Sequence, residues 1–308
     1  MRIYKKEERL EHSLATINYF FANEYNYYSE NNVRLFEWEG KRYGALYRRL
    51  NVQLMVTKKC PFDCPFCIEK INTVGKEDRN ETLQKENLKK LLEQLIVQEI
   101  APTVSITGGE PTIFCDYVMD IKNMLDEMGV VCNINTAGVL NSQTKDLFQK
   151  FERVNLSVHS HDKEENNRIF GLLRRDYWND SSLEHATIQS VVQDADMGRL
   201  KDFLDSFKQK RFSVRFPSET ATVDSIEWRD LFRSIETDDD FKFIQQKIGD
   251  YYWYEEYMYK NEKLVRFSFS SMRQLEYYKN KFQYQESHLT RACIVLPDGQ
   301  IRFDWIAD

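Results

Sequence analysis

Three thiols stand within eight residues of one another, in Cys60-Pro-Phe-Asp-Cys64-Pro-Phe-Cys67. Three thiolates on one tight loop can bind three irons of a [4Fe–4S] cluster, because soft sulfur ligands suit iron–sulfur chemistry and a short loop lets them converge. The fourth iron would then lack a protein ligand and be open to another molecule. Zinc is the alternative metal, but a structural zinc needs four ligands. Cys115, Cys132 and Cys293 have no Cys or His partner near them in sequence. A redox pair made of Cys64 and Cys67 alone leaves Cys60 unused.

A second group follows at Ile106-Thr-Gly-Gly-Glu-Pro-Thr112. Glycines at the C-terminal end of a strand let the backbone approach a ligand closely, and ligands of β/α folds bind at that end. The cysteine loop and Gly108-Gly109-Glu110-Pro111 are separated by about one β/α unit. Together they resemble the radical S-adenosylmethionine (radical SAM) superfamily, whose members carry C-x3-C-x-aromatic-C after strand one and G-G-E-P after strand two. The resemblance covers Leu50 to Pro217, about half of the 308 residues.

The resemblance implies that Cys60, Cys64 and Cys67 hold the cluster, that Phe66 lies beside the SAM adenine, and that Gly108, Gly109, Glu110 and Pro111 form the motif that receives the methionine amino group. Asn135-Thr136-Ala137-Gly138 looks like the T-x-N-G turn after strand three, with Ala137 in place of the usual Asn. Ser157 matches a serine that contacts the SAM carboxylate or ribose. Gln189 and Arg215 match polar groups at the barrel mouth. The implied chemistry is one-electron cleavage of SAM to methionine and a 5′-deoxyadenosyl radical, which takes a hydrogen atom from a substrate. The protein must then position one C–H bond and exclude water. A cavity lined by aromatic and apolar side chains would suit that task.

His159 and His161 lie in Val-His-Ser-His-Asp at the end of strand four. Strand alternation puts Ser157, His159 and His161 on one face, which makes His159 a candidate for SAM or substrate contact, or for acid–base work. Cys115 and Cys132 read as small buried residues. Arg291-Ala-Cys293-Ile-Val-Leu-Pro-Asp-Gly resembles the C-terminal segment of the molybdenum-cofactor enzymes that make cyclic pyranopterin precursors. Several cysteines hold a second cluster there; one is present here, so no auxiliary cluster is expected. Cys293 is a candidate hydrogen-atom donor, weighed against burial in the core. Glu69, Lys70 and Arg168 read as solvated or locally paired charges.

The elements that must position these groups begin at Leu50. Short β-rich runs at 51–57, 104–107, 130–135, 154–159, 186–192 and 212–216 alternate with segments of helical period at 82–98, 116–128, 142–151, 163–170 and 196–208. Such alternation implies a parallel sheet with crossover helices. Periodicity alone does not choose between a partial barrel and an open sheet; the resemblance implies a partial (β6/α6) TIM-like barrel in the α/β class. The expected domains are an N-terminal extension at 1–49, the core at 50–217, and an α+β cap or substrate region at 218–308. The extension should hold an amphipathic helix carrying Leu10, Leu14, Ile17 and Phe20, then a hairpin turning at Glu39-Gly40-Lys41. The cap should hold helices at 225–235 and 240–248, the block Tyr-Tyr-Trp-Tyr-Glu-Glu-Tyr-Met-Tyr from Tyr251 as a packed helix or a substrate wall, a strand at 264–269, and a hairpin turning at Pro297-Asp298-Gly299.

Composition sets the outer limits. The chain is 42% hydrophobic and 30% charged with a net charge of -6, an ordinary globular balance that argues against nucleic acid as partner. No apolar run reaches the length of a membrane span, and a cytoplasmic location is expected. The expected function is reductive cleavage of SAM at one [4Fe–4S] cluster and hydrogen abstraction from a small-molecule metabolite, with electrons from a flavodoxin- or ferredoxin-type donor. The alternatives are modification of a ribosomally made peptide, and a non-catalytic iron–sulfur redox or sensor protein.

Overall fold

Strand and helix alternate from Arg49 to Arg215, as the apolar periodicity predicts. The computed structural model describes residues 2–8, 33–65, 67, 79–138, 142–171, 181–191, 195–215, 226–248, 252–270, 283–284, 287–290 and 292–303. Strands β1 (Arg2–Tyr4), β2 (Val33–Trp38) and β3 (Lys41–Leu46) precede β4 (Arg49–Met55), α1 (Glu81–Val97), β5 (Ala101–Thr107), α2 (Cys115–Glu127), β6 (Cys132–Thr136), α3 (Ser142–Gln149) and β7 (Val154–Ser157). There follow α4 (Lys163–Phe170), β8 (Thr187–Val191), α5 (Met197–Asp205), β9 (Arg211–Arg215), α6 (Ile226–Thr237), β10 (Phe241–Ile248), β11 (Tyr252–Tyr259) and β12 (Lys263–Ser270). The last strands are β13 (Gln283–Tyr284), β14 (Ser287–Thr290), β15 (Ala292–Val295) and β16 (Ile301–Arg302). The fold is mixed α/β, with largely parallel strands and alternating helices. The expected helix carrying Leu10 and Phe20 falls outside the described residues.

The chain divides into two compact units. The cysteine-bearing unit comprises Asn26–Asn155, Ile169–Arg175 and Lys281–Asp308. In it β4 pairs in parallel with β5, β5 with β6, and β15 lies parallel to the other side of β4. The β2–β3 hairpin turns through Glu39 (φ 47°) and Gly40 (φ 75°), two successive left-handed residues as a tight two-residue hairpin requires. Helix α1 starts at Asn80, whose side chain accepts the Leu83 N–H, and buries Leu88, Leu91, Leu92 and Leu95 completely. Leu83 and Ile96, which the helical period also places on that stripe, stay 41% and 45% exposed.

The other unit comprises Met1–Tyr25, Leu156–Arg168 and Asp176–Asn280. Here β8 pairs in parallel with β9, β9 with β12, and β10 and β11 add as antiparallel strands. The segment expected as an α+β cap is α+β, and its strands extend sheets: β12 continues from β9, and β15 from β4. In this segment one expectation fails, and of the two alternatives for the aromatic block the helix is overturned. Residues 240–248 form strand β10 rather than a helix, and the aromatic block is strand β11 rather than a helix. Asp238 to Asp240 resembles a helix cap, yet the Asp240 N–H donates to the Asp238 side chain and the Phe241 N–H to the Asp238 carbonyl, a turn that launches a strand. A register shift between Phe243 and Gln245 then breaks the period-two signal in β10. On β11, Glu255, Tyr257 and Tyr259 face the helix-covered core, where alternation of aromatic residues suits a strand.

Beneath the end of β4, one buried side chain joins three elements. The Gln84 amide on α1 donates to the Met55 carbonyl (2.8 Å) and the Leu296 carbonyl (2.7 Å), and its oxygen accepts the Tyr117 hydroxyl (2.9 Å). Gln84 is fully buried, so water has no access to replace these bonds. Gln84→Leu should therefore cost about 2–4 kcal/mol in urea unfolding, since two carbonyls lose their donor; a loss under about 1 kcal/mol would show that the junction does not depend on it.

Candidate functional site

The cysteine loop leaves β4 in contact with the turn that leaves β5. Beyond the last paired residues the ladder continues: the Val56 N–H donates to Thr107 (2.9 Å), the Gly109 N–H to Thr57 (2.6 Å) and the Glu110 N–H to Lys59 (2.9 Å). This contact explains both glycines. Gly108 has φ 132°, and a Cβ there would lie 2.4 Å from the Thr57 carbonyl oxygen. A Cβ at Gly109 would lie 2.0 Å from the Lys59 carbonyl oxygen. The sequence reading assigned these glycines to close approach of a ligand; the structure shows them first admitting the stem of the cysteine loop, one residue before Cys60.

The loop is held at its middle as well. The Asp63 N–H donates to the Phe170 carbonyl (2.7 Å), and Phe62 packs edge-on against Phe170. The Cys67 N–H donates to the Cys64 carbonyl (3.2 Å). All three thiols are free of disulfides; Cys60 is exposed, and Cys64 and Cys67 are half-buried. Among the described residues no three His, Cys, Asp or Glu side chains gather closely enough for a single metal ion. A cubane makes a different demand, because each thiolate binds its own iron. Soft donors on one accessible loop, held at its stem and at Asp63, fit that group. Phe66, Glu69 and Lys70 lie outside the described residues.

Glu110 is almost fully buried and ties the ends of β5 and β6 together. Its Oε1 accepts the Thr112 N–H (3.1 Å), the Thr112 hydroxyl (2.5 Å) and the Thr136 hydroxyl (2.7 Å). Its Oε2 accepts the Ala137 N–H (2.7 Å). Thr136 in turn accepts the Gly138 N–H (2.9 Å), so the turn at 135–138 is built around this carboxylate. Position 137 contributes its backbone, which any residue can supply. Pro111 and Thr112 are buried in the short 3₁₀ turn that Glu110 caps.

Across the same unit runs a polar row that the sequence reading missed. Asn51 Nδ2 donates to the Thr103 (3.2 Å) and Ser105 (3.1 Å) hydroxyls, Asn133 Nδ2 donates to Ser105 (3.1 Å), and Asn155 Nδ2 donates to Asn133 (3.3 Å) and Asn135 (2.7 Å). These residues alternate with the buried Val52, Val104, Ile134 and Val154, so they occupy the face away from the helices. The expected aromatic and apolar lining is absent from these positions; amides and hydroxyls take its place. The period-two polar residues in Cys-Asn-Ile-Asn were the available signal.

The remaining candidates belong to the other unit. The His159 N–H donates to Asn166 Oδ1 (2.9 Å), and the Val191 N–H donates to His159 Nδ1 (3.1 Å). An acceptor at Nδ1 places the proton of a neutral ring on Nε2. Val158 joins β8 through the Gln189 carbonyl (2.9 Å). Gln189 lies opposite Ser213, and Arg215, which is exposed, lies opposite Val191. Ser157 and His161 are half-buried. Ser160 donates to Glu165, which Arg199 also grips at 2.7 Å; the Arg199 bonds first and the Ser160 bond second hold this carboxyl below the usual range.

Cys293 is fully buried, and burial pushes its thiol well above the ordinary value. It pairs with Val52, and so shares the helix-covered face with Val52 and Leu54. That placement favours the packing role over hydrogen-atom donation. Cys132 is buried as expected, its thiol pushed up to about 11 by burial, and half-buried Cys115 donates to the Thr112 carbonyl (3.1 Å).

Comparison with known proteins agrees with the cysteine and glycine motifs. The model of the "Radical SAM superfamily" matches residues 54–184. The chain is 26% identical over 179 residues to a "Probable GTP 3',8-cyclase" of Thermoplasma volcanium, which covers 54% of this chain and 52% of that protein. It is 34% identical over 91 residues to a "PqqA peptide cyclase" of Bradyrhizobium diazoefficiens, covering 30% of this chain and 23% of that protein. The chain thus spans about half the length, or less, of these curated relatives. Among solved structures, "Structure of TYW1 with a lysine-pyruvate adduct bound" aligns with a TM-score of 0.43 at 14% identity, over 72% of this chain and 83% of that chain. Among the described residues no helix is long and apolar enough to cross a membrane.

The glycine contact yields a direct test. Gly109→Ala should lower the iron bound per chain after anaerobic reconstitution by more than about half, because the Cβ must displace the Lys59 backbone next to Cys60. Unchanged iron content would show that the loop stem adapts without consequence.

Proposed function

We propose that this chain is a radical SAM enzyme that reductively cleaves SAM and abstracts a hydrogen atom from a small-molecule metabolite, a reading supported by the superfamily match at residues 54–184. Cys60, Cys64 and Cys67 would hold one [4Fe–4S] cluster, which when bound supplies one electron to SAM, breaking its S–C5′ bond. The chain's own residues fix where this occurs. Gly108 and Gly109 keep the β5 turn against the cysteine loop, so the methionine end of SAM and the loop share one rigid backbone frame.

The observation that carries the reading is the donor count at Glu110. A carboxylate offers about four acceptor directions. Among the described residues three donors share the two lone pairs of Oε1, whereas Oε2 takes one donor, the Ala137 N–H, and its second lone-pair direction is the one assigned to the methionine ammonium. Because Glu110 is held from both strands, that charge is oriented before the ligand arrives, which lowers the cost of binding. Phe66, Pro111, Asn135, Thr136, Ser157, His159, Gln189 and Arg215 are assigned to SAM on the family resemblance, His159 as an Nε2–H donor. Exposed Cys60, Pro61 and Asp63 leave the loop accessible to a flavodoxin- or ferredoxin-type electron donor.

A peptide substrate is the second reading, supported by the local similarity to the PqqA peptide cyclase. A non-catalytic iron–sulfur protein would have no use for a pre-oriented Glu110. Reconstituted, dithionite-reduced protein should release 5′-deoxyadenosine, and Cys64→Ala should release none. Glu110→Gln should weaken SAM binding about tenfold or more in calorimetry, since its amide would turn a donor toward the Ala137 N–H or the ammonium. A fully loaded protein that yields no 5′-deoxyadenosine would remove the enzymatic reading.

A further inference from the structure

The strands of the two units turn different chemistry away from their helices. On β9 to β12 that face carries Arg211, Lys247 and Arg266, with Glu256 in contact with the last two. On β4 to β7 it carries Asn51, Gln53, Thr103, Ser105, Asn133 and Asn155, all within one unit and none of them ionisable. Neither ordinary surrounding of a parallel sheet explains that choice. A second packed layer asks for Val, Ile or Leu, as in sheets covered on both faces. A face turned to water, in a chain that is 30% charged, would carry Lys or Glu.

Counting hydrogen-bond capacity shows what the row leaves over. Asn51 spends both Nδ2 hydrogens, on Thr103 and Ser105, and Asn155 spends both of its own, on Asn133 and Asn135. Among the described residues the carbonyl oxygens of Asn51 and Asn155 accept nothing in return. Ser105 Oγ accepts from Asn51 and from Asn133, which fills its two lone pairs, and its own O–H has no acceptor among the described residues. The Gln53 side chain is half-buried and makes no hydrogen bond among the described residues, so its amide holds a donor and an acceptor both unspent. Partial desolvation of such a group is a cost that a bound partner repays. Gln53, Ser105 and Asn133 share one rung across β4, β5 and β6. The rung stands two residues before the ends of β4 and β5, about 7 Å along the strands, on the side of the sheet that leads to the cysteine loop and Glu110. Ligands of β/α folds bind toward that end.

We propose that Gln53, with the Ser105 hydroxyl and the carbonyl oxygens of Asn51 and Asn155, binds the cis amide edge of an uncharged ring, a lactam whose N–H and C=O point the same way. The site deepens the small-molecule reading above, and rests on it for the identification of that ligand as substrate. A side-chain amide sets a donor beside an acceptor and pairs at two points with an edge that does the same. A trans peptide does not match it, because its N–H and C=O point to opposite sides. A phosphate or carboxylate on this rung would meet no cation.

The probe is 2-pyridone, a neutral lactam, titrated by NMR into the full-length reconstituted protein with SAM present. N-Methyl-2-pyridone, which lacks the N–H, N-acetylalanine methylamide as a trans peptide, and glucose as a polyol are titrated beside it. The lactam should bind, and its N-methyl derivative about tenfold or more weaker. Gln53→Met should weaken 2-pyridone about tenfold and lose the preference between the two pyridones, whereas Lys89→Gln, on the exposed side of α1, should keep both. Gln53 spends no bond within the chain, so its replacement leaves no partner stranded; Ser105→Ala, measured in parallel, should weaken the lactam in the same sense. No binding of 2-pyridone, equal binding of its N-methyl derivative, equal binding by wild type and the two variants, or tighter binding of the peptide analogue or of glucose would overturn the site. Protein that releases 5′-deoxyadenosine yet does not discriminate the pyridones overturns this inference alone. Protein that discriminates them but releases none leaves the site standing and overturns the earlier reading.

Discussion

Two backbones run closer together at one place than any side chain allows. The Gly108 and Gly109 positions lie 2.4 Å and 2.0 Å, at their would-be Cβ atoms, from the carbonyls of Thr57 and Lys59. Everything assigned to the cysteine loop depends on this contact, because it extends the β4–β5 ladder past its last strand residues and delivers Cys60 from a paired backbone rather than a free one. A loop hung from a single strand end would spend entropy each time three thiols had to be gathered. Here the stem is already ordered, and Phe170 fixes the loop at Asp63.

The same contact sets Glu110. Once its N–H is bound to Lys59, the side chain falls where Thr112, Thr136 and Ala137 can donate to it, and the carboxylate becomes the joint between β5 and β6. A buried carboxylate is costly unless hydrogen bonds replace its water. Four donors do so, three sharing Oε1 and one on Oε2, and the direction assigned to the ligand is the second lone pair of Oε2. Gln84 serves a matching purpose beneath β4, where one amide holds the carbonyls of Met55 and Leu296 against α1. The cysteine loop therefore leaves a strand end fixed from both sides.

The motif-bearing half was legible because its chemistry is local. C-x3-C-x2-C and G-G-E-P each occupy one turn, and Leu88, Leu91, Leu92 and Leu95 keep the helical period without interruption. Gln84 and the face of β8 to β12 away from the helices were not legible, and the asparagine row left only the period-two signal of Cys-Asn-Ile-Asn. Each depends on elements far apart in the chain, as when Gln84 meets Met55 and Leu296, or when Lys247, Tyr254, Ser268 and Arg215 fall on one rung. The helix expected at 240–248 failed for a local reason: Asp238 caps a turn as readily as a helix, and the shifted register in β10 hides its alternation. The aromatic block was read by its bulk, while Glu255 and Glu256 within it mark two opposite faces, one in the core and one on the cationic surface.

That division explains how an acidic chain can carry a basic surface. Net charge is a sum over all faces, whereas a ligand meets one. Acidic residues of the unit formed by β8 to β12, such as Asp205, Asp238 and Asp240, are paired with Lys260 and Lys201 away from the cationic face. Glu256 is the exception: one of its oxygens takes both Arg266 bonds, and the other lies 3.8 Å from the Lys247 ammonium. Each unit by itself carries polar groups on the strand face away from its helices: amides and hydroxyls on β4 to β6 in one, cations and hydroxyls on β9 to β12 in the other. Polar groups on the face away from the helices favour a ligand rich in hydrogen-bonding groups over an apolar one, because an apolar ligand would leave them without partners for the water it displaced.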